Sequence, residues 1–281
     1  MTLVATWVNL EPGIAPSIWT AADTKISDGK ETIMLEGSKV FELPLSCRTL
    51  GGSSYGNVYY KTSLGFSYAG SSMIGLNTYA TLCSVLSNLG SGPPNLPDHI
   101  SIVNKAKDIL KVYTISVQSY AEISIWGFCP ITHLPFIGVV SAVKTTEVVY
   151  TVEIKYGYED QLYCSLIGSH KSEVNSEIAA RCAMLANSKS HDYWRTPIKV
   201  LRDVIKQNSY EEIGGNIQLA IIPSNGSFNH FAMSVPVEGI SPRTHTQKYR
   251  NIDQLEEIGR WVGNCLIAIP ALEIDFPLSE T

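Results

Sequence analysis

The second residue of the chain is a threonine, and a threonine hydroxyl is a useful nucleophile only when a base stands ready to take its proton. The free α-amino group of the same residue can be that base, because its pKa lies near neutrality. Such chemistry needs the threonine at the mature N-terminus. Met1-Thr2 meets that need, since an initiator methionine is normally removed when its neighbour is as small as threonine. Many chains begin in this way, so the pair gains meaning only from its company. Asp23 closes Ala21-Ala22-Asp23, and Lys39 opens Lys39-Val40-Phe41-Glu42-Leu43. A lysine near the threonine would lower the pKa of its amine and hydroxyl, and an aspartate would keep that lysine ionised and oriented. On residue types alone, Asp23 and Lys39 read equally well as an ordinary charged pair near a hairpin end.

These residues need elements to position them. Apolar and polar residues alternate over Thr2 to Val8 and over Ser17 to Ala22, with Glu11-Pro12-Gly13-Ile14-Ala15-Pro16 between them. That pattern predicts an antiparallel hairpin beginning at the first residues. A third strand is expected near Lys39 to Leu45 and another over Val58 to Ala69, with the Gly/Ser-rich stretch 46–57 as an exposed loop. Beyond Gly70 the apolar residues Met73, Leu76, Tyr79, Cys83, Leu86 and Leu89 fall at helical spacing. Asp98 caps a second helix over Ile100 to Val117. Strands follow at 123–128, 137–143, 148–156 and 162–167, then helices over 172–187 and 197–207. Strands at 216–222 and 228–235, a last helix over Ile252 to Asn264 and an extended tail complete the expectation. Strands and helices come in groups and not in strict alternation, which points to the α+β class with antiparallel sheets.

Composition narrows the field. The chain has 281 residues, 44% of them hydrophobic, enough to bury a sizeable core. A formal net charge of -5 argues against nucleic acid or an anionic membrane as partner. No run of about 18 apolar residues suggests a membrane span, and the N-terminus lacks the features of a signal peptide. The six cysteines are irregularly spaced without a CxxC pair, so reduced thiols in a cytoplasmic protein are expected and a zinc site is not.

The N-terminal motifs together resemble the proteasome β-subunits and their simpler bacterial relatives, the threonine-protease branch of the N-terminal-nucleophile hydrolases. In that family a catalytic threonine opens the first strand, Ala-Asp ends the second, and a lysine opens a strand of the form Lys-apolar-apolar-Glu-apolar. Here those are Thr2, Ala22-Asp23 and Lys39 to Leu43. The first hairpin is longer by a few residues, which the loop from Glu11 to Pro16 absorbs. Ala69-Gly70 before the first helix matches the family's glycine whose N–H helps to bind the oxyanion. Leu166-Ile167-Gly168-Ser169 matches the turn whose serine assists proton movement, and His170 beside it reads as an ordinary loop histidine. One element departs. Tyr210 and Ile213 stand where the family has an Asp and a Ser before its Gly-Gly pair, here Gly214-Gly215.

The resemblance implies a four-layer αββα sandwich of the N-terminal-nucleophile hydrolase type over residues 1–237, with 238–281 as a C-terminal extension of helix and tail. It implies a threonine-type endopeptidase with Thr2, Asp23, Lys39, Gly70 and Ser169 as catalytic residues. Ile26, Phe41 and Ser72 are candidates for the substrate pocket. No cofactor or metal is implied. The expected partners are unfolded polypeptide or peptide substrates, identical subunits in stacked rings closest to the single-subunit bacterial homologues, and an ATP-dependent unfoldase. Two rival readings stay open: an amidase or acylase of small substrates using the same nucleophile, and a catalytically inactive ring-forming scaffold.

Overall fold

The computed structural model describes residues 2–28, 31–51, 54–144, 148–185, 189–236 and 245–275. The chain opens with β1 (Leu3–Asn9) and β2 (Ser17–Asp23), followed by the short hairpin β3 (Ile26–Asp28) and β4 (Glu31–Met34). Two long strands come next, β5 (Val40–Gly51) and β6 (Ser54–Gly70), then α1 (Ser72–Leu86), β7 (Leu89–Ser91) and α2 (His99–Val117). The middle of the chain holds β8 (Ala121–Phe128), β9 (Pro135–Lys144), β10 (Val148–Tyr156) and β11 (Cys164–Gly168). Helices α3 (Lys171–Leu185), α4 (His191–Trp194) and α5 (Thr196–Lys206) lead to β12 (Ile217–Pro223) and β13 (Asn229–Pro236). The last elements are β14 (His245–Tyr249), β15 (Ile252–Asp253), a π-helical turn over Gln254–Ile258, β16 (Trp261–Val262), β17 (Cys265–Leu266) and β18 (Ala271–Leu272).

Period-two patterning builds the first hairpin. Residues of β1 pair with β2 so that Val4 faces Ala22, Trp7 faces Trp19 and Val8 faces Ile18. The two indoles lie 5.8 Å apart on one face, the kind of cross-strand aromatic pair that fixes register. Leu3, Ala5, Trp7, Trp19 and Ala21 enter a core shared with Val174, Ile178, Ile198 and Leu201 of α3 and α5. Val4, Ile18 and Ala22, on the other face, meet Val40, Ala69, Trp126 and Ile137 of a second sheet. The first sheet runs β11-β1-β2-β12-β13-β14-β15, with β18 also on β13, and the second runs β10-β9-β8-β6-β5-β7. Pairs β3–β4 and β16–β17 form separate two-stranded sheets. Leu43, Leu45, Phe66 and Ile125 of the second sheet pack with Ile74 and Leu82 of α1 and Ile102, Ala106 and Leu110 of α2.

Three expectations need correction. The α+β assignment and the four-layer αββα sandwich are not what the molecule shows. It is a mixed α/β structure with 43% strand, several antiparallel sheets and only 27% helix. The helix expected over Ile252 to Asn264 is one source of the difference. Its apolar residues Ile258, Trp261 and Val262 are 37% exposed or more, so no core draws them into a helical face, and the segment forms a π-turn and short strands instead. The Gly/Ser-rich stretch is the other. β5 reaches Gly51 and β6 starts at Ser54, so cross-strand pairing extends a hairpin where a loop was expected. The expected domain boundary at 237/238 falls outside the described residues. No helix among the described residues is long and apolar enough to cross a membrane. All six cysteines are free, three buried, two half-buried and Cys265 exposed.

Candidate active site

Thr2 stands immediately before β1 and is only 4% exposed. The peptide unit joining Thr2 to Leu3 is held from both sides. Its N–H, on Leu3, donates to Asp23 Oδ1 at 3.0 Å. Its carbonyl oxygen, on Thr2, accepts from the Ser169 N–H at 2.8 Å. With both polar groups engaged, the peptide plane that ends at the Thr2 Cα is fixed.

Asp23 ends β2 and is fully buried. Besides Leu3 N–H it accepts from Lys39 Nζ at 2.9 Å and from Gly214 N–H at 3.2 Å on its second oxygen. Lys39 is 1% exposed, and its ammonium also donates to the Lys25 carbonyl at 2.5 Å. Burial pushes the Lys39 pKa below the usual lysine value, against the pull of the Asp23 carboxylate. Burial pushes Asp23 upward, opposed by Lys39 and by the N–H groups of Leu3 and Gly214. Each charge is therefore tolerable only in the presence of the other. A buried amide keeps Lys39 in place. Gln218 Oε1 accepts from Lys39 N–H at 2.8 Å and Val40 N–H at 3.1 Å, and its Nε2 donates to the Val40 carbonyl at 2.7 Å.

On the other side of Thr2, β11 ends in Gly168 at φ +105°. A Cβ there would stand 1.9 Å from the Thr2 carbonyl oxygen, so only glycine permits the close approach that Ser169 exploits. Gly70, at φ +94°, ends β6, and Ser71 then caps α1 by accepting from Ile74 N–H at 3.5 Å. Thr2, Gly70 and Ser169 line one cavity of about 180 Å³ with Tyr120, Ala121 and Glu122. A larger cavity of about 340 Å³ beside α5 contains none of the site residues.

The five expected catalytic positions thus form one connected neighbourhood: Thr2, Gly70 and Ser169 at the cavity, Asp23 and Lys39 behind Leu3. The expected pocket residues do not line that cavity. Phe41 lies on the opposite face of β5 from Val40 and stacks on Tyr79 at 4.6 Å, against the α1 core. Ile26 pairs with Met34 in the short β3–β4 hairpin, and Ser72 begins α1. The positions that depart from the proteasomal pattern have apolar and aromatic roles. Ile213 is buried in the core with α3 and α5, and Tyr210 stacks on His170 at 3.8 Å. His170, held also by Glu212 at 3.5 Å, belongs to that stack.

Sequence reasoning missed two residues. Gln218 carried a signal, since an uncharged amide inside Ile217-Gln218-Leu219-Ala220-Ile221 marks a buried polar group that needs partners. Glu122 carried none. In Ala121-Glu122-Ile123-Ser124-Ile125 it reads as the polar face of a half-buried strand, yet its carboxylate accepts from Gly168 N–H at 2.6 Å, Lys171 Nζ at 2.6 Å and Ser141 Oγ at 2.8 Å.

No family model and no curated protein matches this sequence. Solved structures do. A Gly-1 mutant of Anbu from Hyphomicrobium sp. strain MC1 superposes with a TM-score of 0.55 at 13% identity, covering 82% of this chain and 85% of that one. A second Anbu structure from the same strain gives 0.53 at 14% identity, over 92% and 91% of the two chains. The helical assembly of the Anbu complex from Pseudomonas aeruginosa gives 0.51 at 10% identity, over 82% and 86%. The fold is similar to that of Anbu. At identities of 10–14% the likeness shows the fold alone and no particular activity.

Proposed function

We propose that the chain is a threonine-type peptidase, cleaving peptide bonds through Thr2 once Met1 is removed. The observation that carries this reading is the two-sided anchoring of the Thr2–Leu3 peptide by Asp23 and by the Ser169 N–H, next to a buried lysine. While Met1 is attached, the Thr2 nitrogen is an amide without basicity. Cleavage of that bond creates the amine. Thr2 Oγ then attacks the substrate carbonyl carbon, and its proton passes to the α-amine directly or through a water. Lys39, held by Asp23, lowers the pKa of amine and hydroxyl by its positive charge. The developing oxyanion is received by the Gly70 N–H. The amine returns the proton to the departing nitrogen of the substrate, leaving an ester on Thr2 that water hydrolyses.

We further propose that identical subunits assemble around these sites, as stacked rings or as an open helix of the kind named for the P. aeruginosa complex. Enclosure would keep a broad-specificity peptidase from cellular proteins, and an ATP-driven unfoldase would then deliver substrate. One observation favours the inactive-scaffold reading: Ile213 and Tyr210 supply no hydroxyl or carboxylate where the proteasomal pattern has them. The test is hydrolysis of unstructured polypeptide and of small acyl-amides by the purified chain and by Thr2→Ala. Peptide products lost at least a thousandfold in the variant support the peptidase. Turnover of small amides only would assign an acylase, and no Thr2-dependent turnover by a folded assembly would assign a scaffold.

A further inference from the structure

The side of Thr2 that faces away from Lys39 carries a second carboxylate–lysine pair, which the proteasomal motifs do not contain. Glu122 projects from β8 in one large sheet, and Gly168 ends β11 in the other. One carboxylate oxygen accepts the Gly168 N–H at 2.6 Å, and the other accepts Lys171 Nζ at 2.6 Å and Ser141 Oγ at 2.8 Å. Lys171 is the third residue after Gly168, so the carboxylate closes a loop around Ser169. The next N–H after that of Gly168 is the Ser169 donor to the Thr2 carbonyl. Glu122 also lines the Thr2 cavity.

We infer that Glu122 is a positioning residue for Thr2, acting through the Gly168-Ser169 turn and itself oriented by Lys171 and Ser141. The inference rests on the peptidase reading for its catalytic consequence. Gly168 lies in a left-handed conformation, with φ +105° and no side chain of its own to brace it. Its N–H is therefore the handle by which the turn can be fixed, and a charge-assisted bond is the strongest fixing available to a backbone donor. The Ser169 N–H follows from that orientation, and the Thr2 carbonyl from Ser169. Displacement of a nucleophile by a fraction of an ångström to an ångström lowers the rate of attack far more than it lowers affinity. Glu122 thereby supplies on this side the order that Asp23 supplies on the other.

Three variants separate positioning from bulk stability: Glu122→Ala, which removes the acceptor, Glu122→Gln, which keeps an acceptor for Gly168, and Lys171→Met, which removes the orienting cation. Each is measured by peptide turnover and by amide hydrogen exchange at Ser169, with folding checked by circular dichroism. Glu122→Ala is expected to lower kcat roughly ten- to hundredfold with KM within about twofold, and to speed exchange of the Ser169 amide by about tenfold or more. Glu122→Gln keeps one acceptor oxygen for the Gly168 N–H but loses the charge and turns its amino group toward Lys171, so it should recover only part of both effects. Unchanged Ser169 exchange in folded Glu122→Ala overturns the inference whether or not the chain is a peptidase. Faster exchange in a wild-type chain that turns over no peptide would retain the clamp and reject the peptidase. A rise in KM with kcat unchanged, or equal losses in Glu122→Gln and Glu122→Ala, would also overturn it.

Discussion

Two carboxylate–lysine pairs flank the Thr2–Leu3 peptide, and they differ in solvent. Asp23 and Lys39 are 0% and 1% exposed, whereas Glu122 and Lys171 are 20% and 44% exposed. The first pair sits where water cannot replace either partner. Its cohesion is compulsory, because each charge alone would be stranded in the interior. The second pair is partly exposed, with Glu122 at the cavity, so water competes for both charges and the net Coulombic gain is small. Yet both hold the same peptide, Asp23 through Leu3 N–H and Glu122 through the Gly168-Ser169 turn. Burial therefore separates two jobs that geometry alone would treat alike. The inner pair is part of the fold's stability and also sets the charge near the nucleophile, while the outer pair contributes order with little stability.

That contrast breaks most visibly at Lys39. Lys39→Met leaves Asp23 as a buried carboxylate without its cation and is expected to cost about 3–5 kcal/mol of unfolding free energy, read from the urea midpoint. A loss below about 1 kcal/mol would mean that the pair is no more compulsory than a surface one.

His230 sharpens the comparison as a half-buried group with no compensating carboxylate among the described residues. It lies between Phe228 and Tyr249, its Nδ1 has no hydrogen-bond partner among the described residues, and Arg250 adds a like charge. Burial, with that Arg250 charge, lowers its pKa from 6.5 to about 4. Between those values the unfolded chain binds a proton that the folded chain refuses. Stability should therefore be full above about pH 6.5 and fall by up to about 3 kcal/mol as pH drops to about 4. Unfolding midpoints of wild type and His230→Phe across that range check it, and parallel curves would refute it.

The smallest effect is expected at Lys171. Lys171→Met should cost no more than about 1 kcal/mol at low salt, and the difference from wild type should fade as salt approaches about 1 M, where the Debye length is about 3 Å. The Lys39→Met loss should persist under the same conditions. Equal salt sensitivity of the two would erase the distinction.

The same contrast explains what the sequence could tell. The strands that carry Asp23 and Lys39 were legible from their alternation, but on residue types alone the two read equally well as a charged pair at a hairpin end, and only the resemblance of their motifs singled them out. Gly70 and Ser169 were singled out by the same resemblance, since a glycine before a helix is by itself an ordinary turn. Glu122 was hidden, because an acidic residue in an alternating strand looks solvent-facing until the partner sheet is in place. Phe41 misled for a related reason: a one-residue step along β5 moves a side chain from the inter-sheet space to the helix side. The expected helix over Ile252 to Asn264 was the least legible part, since Ile258, Trp261 and Val262 found no core to face. Strand pairing and register decide such cases, and neither is written locally.

The most direct test of the central claim is the intact mass of the purified chain before and after treatment with an epoxyketone, which closes a ring on both a threonine hydroxyl and its free α-amine. Loss of Met1 and one adduct per chain, abolished by Thr2→Ala, is expected. Loss of Met1 with no adduct on a folded protein, or an adduct that survives Thr2→Ala, would contradict it.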